Sequence, residues 1–209
     1  MLLYVNGCSI THGYLVGFDN SWANIIAKNN DLQLVNESKC GAGNDFIFHK
    51  TLESVSKLID NNEKPELVII QWSGPNRRLH CDIDGNYYYV NLTDHLKYQP
   101  KYEPMGSEHT IHYMFSLQEF LYANEIKHYF FNYMDLDYSV KLLNIYKKID
   151  WKNDLGITII DLKKIGLVAD DFGHPSLDGQ YWIANNISKK LDYNKIEHVN
   201  RYRKDVKLL

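Results

Sequence analysis

The sequence has few cysteines and no regular spacing between them. Three occur among 209 residues, at Cys8, Cys40 and Cys81. A disulfide framework needs an even number of cysteines, and a cysteine-built zinc site needs closely spaced pairs. The pattern fits neither kind of site, so we expect free thiols.

The sequence also lacks a surplus of positive charge. It contains 23 Lys and Arg residues against 26 Asp and Glu residues, for a formal net charge of -3. A general nucleic-acid binder needs a clear cationic surplus to contact the phosphates. We therefore expect no nucleic-acid partner.

Long apolar runs are absent as well. No segment approaches the ~20 apolar residues of a membrane-spanning helix, and no basic region or long apolar stretch precedes Asn6. The sequence therefore predicts no membrane span and no secretion signal, and we expect a location that is cytoplasmic or else not determined by the sequence. It leaves the oligomeric state open.

What the sequence does contain is an alternation of short apolar runs, rich in Val, Ile, Phe and Tyr, with longer helical segments. The expected strands are 2–6, 33–36, 67–72, 128–132 and 157–161, and the expected helices are 21–29, 45–61, 111–124, 140–149 and 176–191. Such alternation is typical of a parallel sheet flanked by helices. We therefore predict an α/β fold, a three-layer α/β/α sandwich with a mostly parallel five-stranded sheet of flavodoxin-like type.

The length and the 44% hydrophobic content are best accounted for by one domain, which we place at 1–193, followed by a basic tail or added helix at 194–209. A polar, aromatic insertion at about 79–108 interrupts the alternation. Its Asp-Gly-Asn turn and following tyrosines predict a hairpin and then a loop. Those tyrosines would either form a platform for sugar rings or pack against the domain.

Ser9 follows the first expected strand directly, on the glycine-flanked turn Gly-Cys-Ser-Ile-Thr-His-Gly at 7–13. Near the other end of the chain, Asp171 precedes His174 in a short loop that contains glycine. A nucleophilic serine needs a base to take its proton and a carboxylate to orient that base. These residue types indicate acyl-transfer chemistry, with Asp170 as the competing carboxylate.

Four short blocks together resemble the SGNH hydrolases, the superfamily of GDSL-like esterases and lipases. They are Gly-Cys-Ser at 7–9, Asn-Glu-Ser-Lys-Cys-Gly at 36–41, Gly-Pro-Asn at 74–76 and Asp-Phe-Gly-His at 171–174. They arrive in the family's order and span nearly the whole chain. The resemblance implies Ser9 as nucleophile, His174 as general base and acid, and Asp171 as the orienting carboxylate.

The resemblance also implies an oxyanion hole made by the backbone N–H groups of Ser9 and Gly41 and the side-chain amide of Asn76. The sequence departs from the family at two points. Cys8 stands where the signature has an aspartate, and Arg77 follows Asn76 where the family's third block, Gly-x-Asn-Asp, has an aspartate. An ungapped alignment would move the asparagine position onto Pro75, so Asn44 and Ser73 are the alternative donors.

Three further residues are candidates for substrate binding. Asn44 either contacts substrate or caps the helix that follows it, and Trp72 forms either a pocket wall or part of the core. Arg77 either binds a substrate carboxylate or pairs with a surface acid. If His174 is not the base, His12 is the next candidate.

We expect no metal and no cofactor. His80 with Cys81, and His109 with His112, offer only fragments of a ligand set. The expected function is a serine esterase acting on small acyl esters, with O-acetyl groups on carbohydrate as the leading substrate. The alternatives are an O-acyltransferase with the same residues, and a non-catalytic carbohydrate-binding or virion-surface module.

Overall fold

The computed structural model describes the backbone of residues 1–75, 77–81, 87–91 and 99–191, and the side chains of residues 1–75, 77 and 106–191. Its main sheet has four parallel strands in the order β2-β1-β3-β6. These strands are β1 (Leu2–Asn6), β2 (Gln33–Asn36), β3 (Leu67–Trp72) and β6 (Lys127–Asn132). Every residue of β1 and β3 is buried, which explains why both strands read as continuous apolar runs.

Helices flank the sheet, in agreement with the predicted α/β sandwich. They are α1 (Ser9–His12), α2 (Trp22–Asn29), α3 (Asn44–Asp60), α4 (Gln99–Ala123), α5 (Ile159–Lys164) and α6 (Leu177–Leu191). Helix α2 packs against α6, and α3 packs against α4. In the part of the chain that the structure describes, no helix has the length and apolar character needed to cross a bilayer.

The predicted fifth strand at 157–161 is wrong, because α5 begins inside it. Thr158 and Asp161 form a capping box, in which the Thr158 hydroxyl accepts from the Asp161 N–H and the Asp161 carboxylate accepts from the Thr158 N–H. Each of these bonds satisfies a backbone donor at the helix start. Capping thus outweighs the strand propensity of the two isoleucines between them.

The predicted helix at 140–149 is also wrong. That region forms three short 3₁₀ helices, Tyr138–Leu142, Tyr146–Lys148 and Trp151–Asn153. Asp137 and Asp150 cap two of them by accepting backbone N–H groups two residues ahead. Such local side-chain bonds compete with a continuous α-helix.

The predicted hairpin in the insertion is present as β4 (Arg77–Cys81) paired antiparallel with β5 (Tyr87–Asn91). Helix α4 begins at Gln99, earlier than the predicted 111, so it occupies part of the expected loop. The tyrosine side chains of the insertion and the basic tail at 194–209 lie outside the described residues.

Candidate active site

The structure brings Ser9 and His174 into direct contact. Ser9 is the first residue of α1, at the carboxyl end of β1, and His174 lies in the loop that precedes α6. The Ser9 Oγ lies 3.0 Å from the His174 Nε2, although the two residues are 165 positions apart in the chain. This is the hydrogen-bond distance expected between a nucleophile and its base.

The carboxylate on the imidazole is Asp170, so the prediction of Asp171 is corrected. The Asp170 Oδ2 lies 2.7 Å from the His174 Nδ1, and its Oδ1 accepts the His174 backbone N–H at 2.9 Å. The Gly173 N–H also donates to the Asp170 carbonyl, which closes a tight turn that aims the Asp170 side chain at the ring. Asp171 is exposed instead, and its carbonyl accepts from Lys163.

This arrangement keeps Asp170 ionised. Partial burial alone would raise the pKa of its carboxyl, but the hydrogen bonds from the backbone and ring of His174 outweigh burial and lower the pKa. An ionised Asp170 accepts a hydrogen bond from the Nδ1–H of His174, which keeps the proton on Nδ1 and leaves Nε2 free to accept the Ser9 proton.

A glycine, a hydrogen bond and a ring contact hold the His174 loop in place. Gly173 has φ +89°, and a Cβ at this position would lie 2.1 Å from the Ile159 Cδ1, so only glycine fits here. The Tyr133 hydroxyl donates to the Gly173 carbonyl, and burial raises the pKa of Tyr133, so that hydroxyl keeps its proton. The Tyr14 ring packs on His174 with its centroid 4.8 Å away.

A buried glutamine on β3 holds the nucleophile turn. The Gln71 Oε1 accepts the Cys8 N–H at 3.0 Å and the Thr11 hydroxyl at 3.2 Å, and lies 3.3 Å from the Cys8 Sγ. Its Nε2 donates to the Trp72 carbonyl at 2.7 Å, which fixes the orientation of the amide. Gln71 thus ties both the residue before Ser9 and the helix after it to the central sheet.

Gly7 permits this close approach. A Cβ at Gly7 would lie 2.4 Å from the Thr11 Oγ1 and 2.8 Å from the Gln71 Oε1. The Trp22 indole N–H donates to the same Thr11 oxygen at 3.3 Å, so the network extends into α2. At Cys8, the position where the related signature has an aspartate, this chain has a thiol facing a carbonyl oxygen.

Ser9 and His174 open into a cleft of about 190 Å³. The described residues that line the cleft with them are mainly apolar or uncharged: Cys8, Ile10, Gln71, Ser73, Gly74, Pro75, Arg77, Tyr133, Met134, Ile159 and Phe172. Phe172 is 85% exposed at the rim. The cleft therefore combines a reactive hydroxyl, an apolar wall and one guanidinium.

Two of the predicted substrate-binding residues do not line this cleft. Both polar ends of the Asn44 amide are occupied, because its Oδ1 accepts the Ser73 N–H and its Nδ2 donates to Ser73 and Thr110. Trp72 is 1% exposed and belongs to the core. Of these three predicted residues, only Arg77 is among the described residues that line the cleft.

The three predicted oxyanion donors differ in their position relative to the cleft. Ser9 begins a helix, so its N–H has no acceptor within that helix. The loop that carries Gly41 is tied to the nucleophile turn by the Lys39 N–H, which donates to the Gly7 carbonyl at 3.1 Å. Gly41 itself has φ +81° and is not among the described residues lining the cleft. Asn76 lies outside the described residues.

His12 does not serve as an alternative base in this arrangement, since its Nδ1 contacts the Ser38 carbonyl at 3.2 Å and its ring packs on Phe18. Cys8 and Cys40 are free thiols, one buried and one exposed. Within the described ranges, no cluster of His, Cys, Asp or Glu could hold a metal ion.

Sequence reasoning missed Gln71 and Tyr133. Gln71 is the one polar residue inside the apolar run at 67–72, and an amide in a fully buried strand must find hydrogen-bond partners. That signal was available. Tyr133 directly follows the last residue of β6, and ligands of open α/β sheets bind at the carboxyl ends of the strands. Nothing in the sequence, however, connects Tyr133 to Gly173.

No protein-family model matches the sequence, and no curated protein matches it. Solved structures do. The psychrotrophic esterase EstA from a Pseudoalteromonas species is 14% identical, with a TM-score of 0.57 over 91% of this chain and 96% of that one. A protein from Slackia heliotrinireducens, described as an SGNH hydrolase, is 12% identical, with a TM-score of 0.54 over 91% and 98%.

The acetyl xylan esterase Est2A from Butyrivibrio proteoclasticus is 12% identical, with a TM-score of 0.53 over 92% of this chain and 65% of that one. Identities this low establish a shared fold and leave the chemistry to be argued from the site. The chain has the fold of the SGNH hydrolases, as its four sequence blocks predict.

Proposed function

We propose that this chain is a serine esterase that cleaves small acyl esters through an acyl-enzyme on Ser9. The observation that carries the proposal is the continuous hydrogen-bonded series from Ser9 through His174 to Asp170. In this series His174 takes the Ser9 proton as the hydroxyl attacks the ester carbonyl, then donates that proton to the leaving alcohol. A water activated by the same imidazole releases the acid.

The cleft supports a small substrate. Its volume of about 190 Å³ is below the roughly 300–1,000 Å³ of pockets that enclose drug-sized ligands. Met134 and Ile159 supply an apolar surface for an acyl group, and Phe172 at the rim can pack against either an acyl chain or the face of a sugar ring. O-acetyl groups on carbohydrate fit these dimensions, and Est2A, which shares the fold, is an acetyl xylan esterase.

A panel of chromogenic esters of increasing acyl length tests the proposal. We expect turnover to be greatest for acetyl esters and to fall with chain length, and we expect a phosphonate inhibitor to add its mass to the peptide that contains Ser9. Ser9→Ala and His174→Ala should abolish turnover while leaving the circular dichroism spectrum unchanged, because each removes a group that the covalent step requires.

The matched control is Ser188→Ala, which removes the buried hydroxyl of an α6 serine that has no hydrogen-bond partner in the described part of the chain. Ser188→Ala should retain full turnover and full phosphonate labelling. Labelling of a residue other than Ser9 would refute the acyl-enzyme proposal. Adding a sugar acceptor distinguishes hydrolysis from acyl transfer by the identity of the product.

A further inference from the structure

The backbone of Arg77 is fixed at the edge of the cleft. Its N–H donates to the Gly74 carbonyl at 3.2 Å, in the turn that leads into β4. Its carbonyl packs against Gly43, where a Cβ would lie 2.8 Å from the Arg77 oxygen. Arg77 lines the same cleft as Ser9 and His174, so its position relative to the nucleophile is set by the fold.

The Arg77 guanidinium has an unused donor. Its Nη1 is shielded from solvent and has no hydrogen-bond partner among the residues that the structure describes. None of the ion pairs between described side chains includes Arg77. A guanidinium stays charged at all ordinary pH values, and none of its described neighbours supplies an acceptor to this buried donor.

None of the described residues that line the cleft neutralises this charge. His174 is the only other basic residue among them, and no carboxylate is among them. Asp170 lies on the far side of the His174 ring, bound to Nδ1. Among the described residues that line the cleft, an ester carrying an anion would therefore meet the Arg77 guanidinium and no carboxylate.

We propose that the cleft selects esters that bear a carboxylate, and that Arg77 binds that carboxylate. The planar guanidinium fork suits a carboxylate because it can donate two parallel hydrogen bonds. The inference rests on the proposed esterase function and specifies its substrate class. Because the contact is made before and during reaction alike, it lowers KM more than it raises kcat.

Two pairs of isosteric substrates test the proposal. They are 3- and 4-carboxyphenyl acetate, each compared with the carbamoylphenyl acetate that replaces the carboxylate by a neutral amide. We expect the wild-type enzyme to favour the carboxylate member of at least one pair in kcat/KM. Arg77→Gln should reduce that preference by about ten- to a hundredfold, mainly through KM, since a hydrogen bond to a charged group is lost.

Arg77→Lys should retain part of the preference, because it keeps the charge and loses the fork. Lys164→Gln is the matched control: it removes one positive charge from an exposed site on α5, outside the cleft lining, and should leave the preference intact. As a measurement independent of variants, added salt should weaken the wild-type preference by screening the ion pair.

Absence of a preference in both pairs would overturn the proposal. An equal fall in kcat for charged and neutral members in Arg77→Gln would also overturn it, and would assign the guanidinium to the reacting oxygen instead. The esterase function is tested separately by the neutral esters, the carbamoylphenyl acetates. The wild type should hydrolyse them and Ser9→Ala should not. Failure of one proposal is therefore distinguishable from failure of the other.

Discussion

The two halves of the candidate site are held in different ways. The nucleophile turn, residues 7–12, is anchored by buried groups of two other elements, since Gln71 of β3 and Trp22 of α2 are both bonded to it. The histidine loop, residues 170–175, is largely held by its own short-range bonds, with Asp170 and Phe172 partly or fully exposed. One half is therefore fixed by the core, and the other by local turn geometry.

The sharpest test of the histidine loop is to compare its two adjacent carboxylates. Asp170→Asn should lower kcat by about 10⁴-fold, the size of the effect when the orienting aspartate of such a triad is changed to asparagine. The asparagine amide would donate to Nδ1, leave the proton on Nε2, and so prevent His174 from accepting the Ser9 proton. Asp171→Asn is the matched control and should keep kcat within about twofold, as expected for an exposed side chain outside the series.

The stability of Asp170→Asn relative to the wild type should also depend on pH. Because the pKa of Asp170 is lowered on folding, its contribution to stability is present above its unfolded value, ~3.9, and is lost as the pH falls through its folded value. The difference in melting temperature between wild type and Asp170→Asn should therefore shrink as the solution is acidified. Greater sensitivity of kcat to Asp171 than to Asp170 would show that the loop adopts another arrangement.

The contrast also explains which parts of the site were predictable. Ser9 and His174 follow from the order of four blocks along strands whose apolar runs are unmistakable. The choice between Asp170 and Asp171 depends on a turn closed by the Gly173 N–H, a detail that residue types alone do not encode. Local turn geometry decides which of two neighbours faces the ring.

The elements of the fold that were predicted correctly differ from the others in the same way. The four strands of the main sheet were predicted within a residue. For the two central strands, β1 and β3, burial on both faces imposes continuous apolar runs. The errors fall at 140–149 and 157–161, where Asp137, Asp150 and Thr158 cap short helices. Capping bonds are local competitors that a reading of hydrophobic periodicity does not weigh.

The nucleophile turn is tested through Gln71. Gln71→Met keeps the length of the side chain but removes the acceptor for the Cys8 N–H and the Thr11 hydroxyl. We expect a loss of stability of roughly 1–3 kcal/mol from the orphaned buried donor. Displacement of Ser9 should also lower kcat, and slow phosphonate labelling, by up to about a hundredfold, with KM little changed.

Gln118→Met provides the control for Gln71. Gln118 is also a buried glutamine, 6% exposed, and its Oε1 accepts the Asp150 N–H at 2.7 Å in a region away from the cleft. Its loss should destabilise the protein to a similar degree in urea unfolding while leaving kcat intact. If both variants lose kcat equally, the role of Gln71 is structural and does not position the nucleophile.

The smallest expected effect comes from the buried hydrogen bond between Tyr133 and the histidine loop. Tyr133→Phe removes the hydroxyl that donates to the Gly173 carbonyl and leaves the ring in place. A single neutral hydrogen bond contributes about 0.5–1.5 kcal/mol, so we expect a loss of that size in urea unfolding. We also expect a fall in kcat of only a few fold, because Asp170 still holds the imidazole of His174 through Nδ1 and through the His174 backbone N–H. A fall as large as that of Gln71→Met would show that the loop depends on the core as strongly as the nucleophile turn does, and the contrast between the two halves would then disappear.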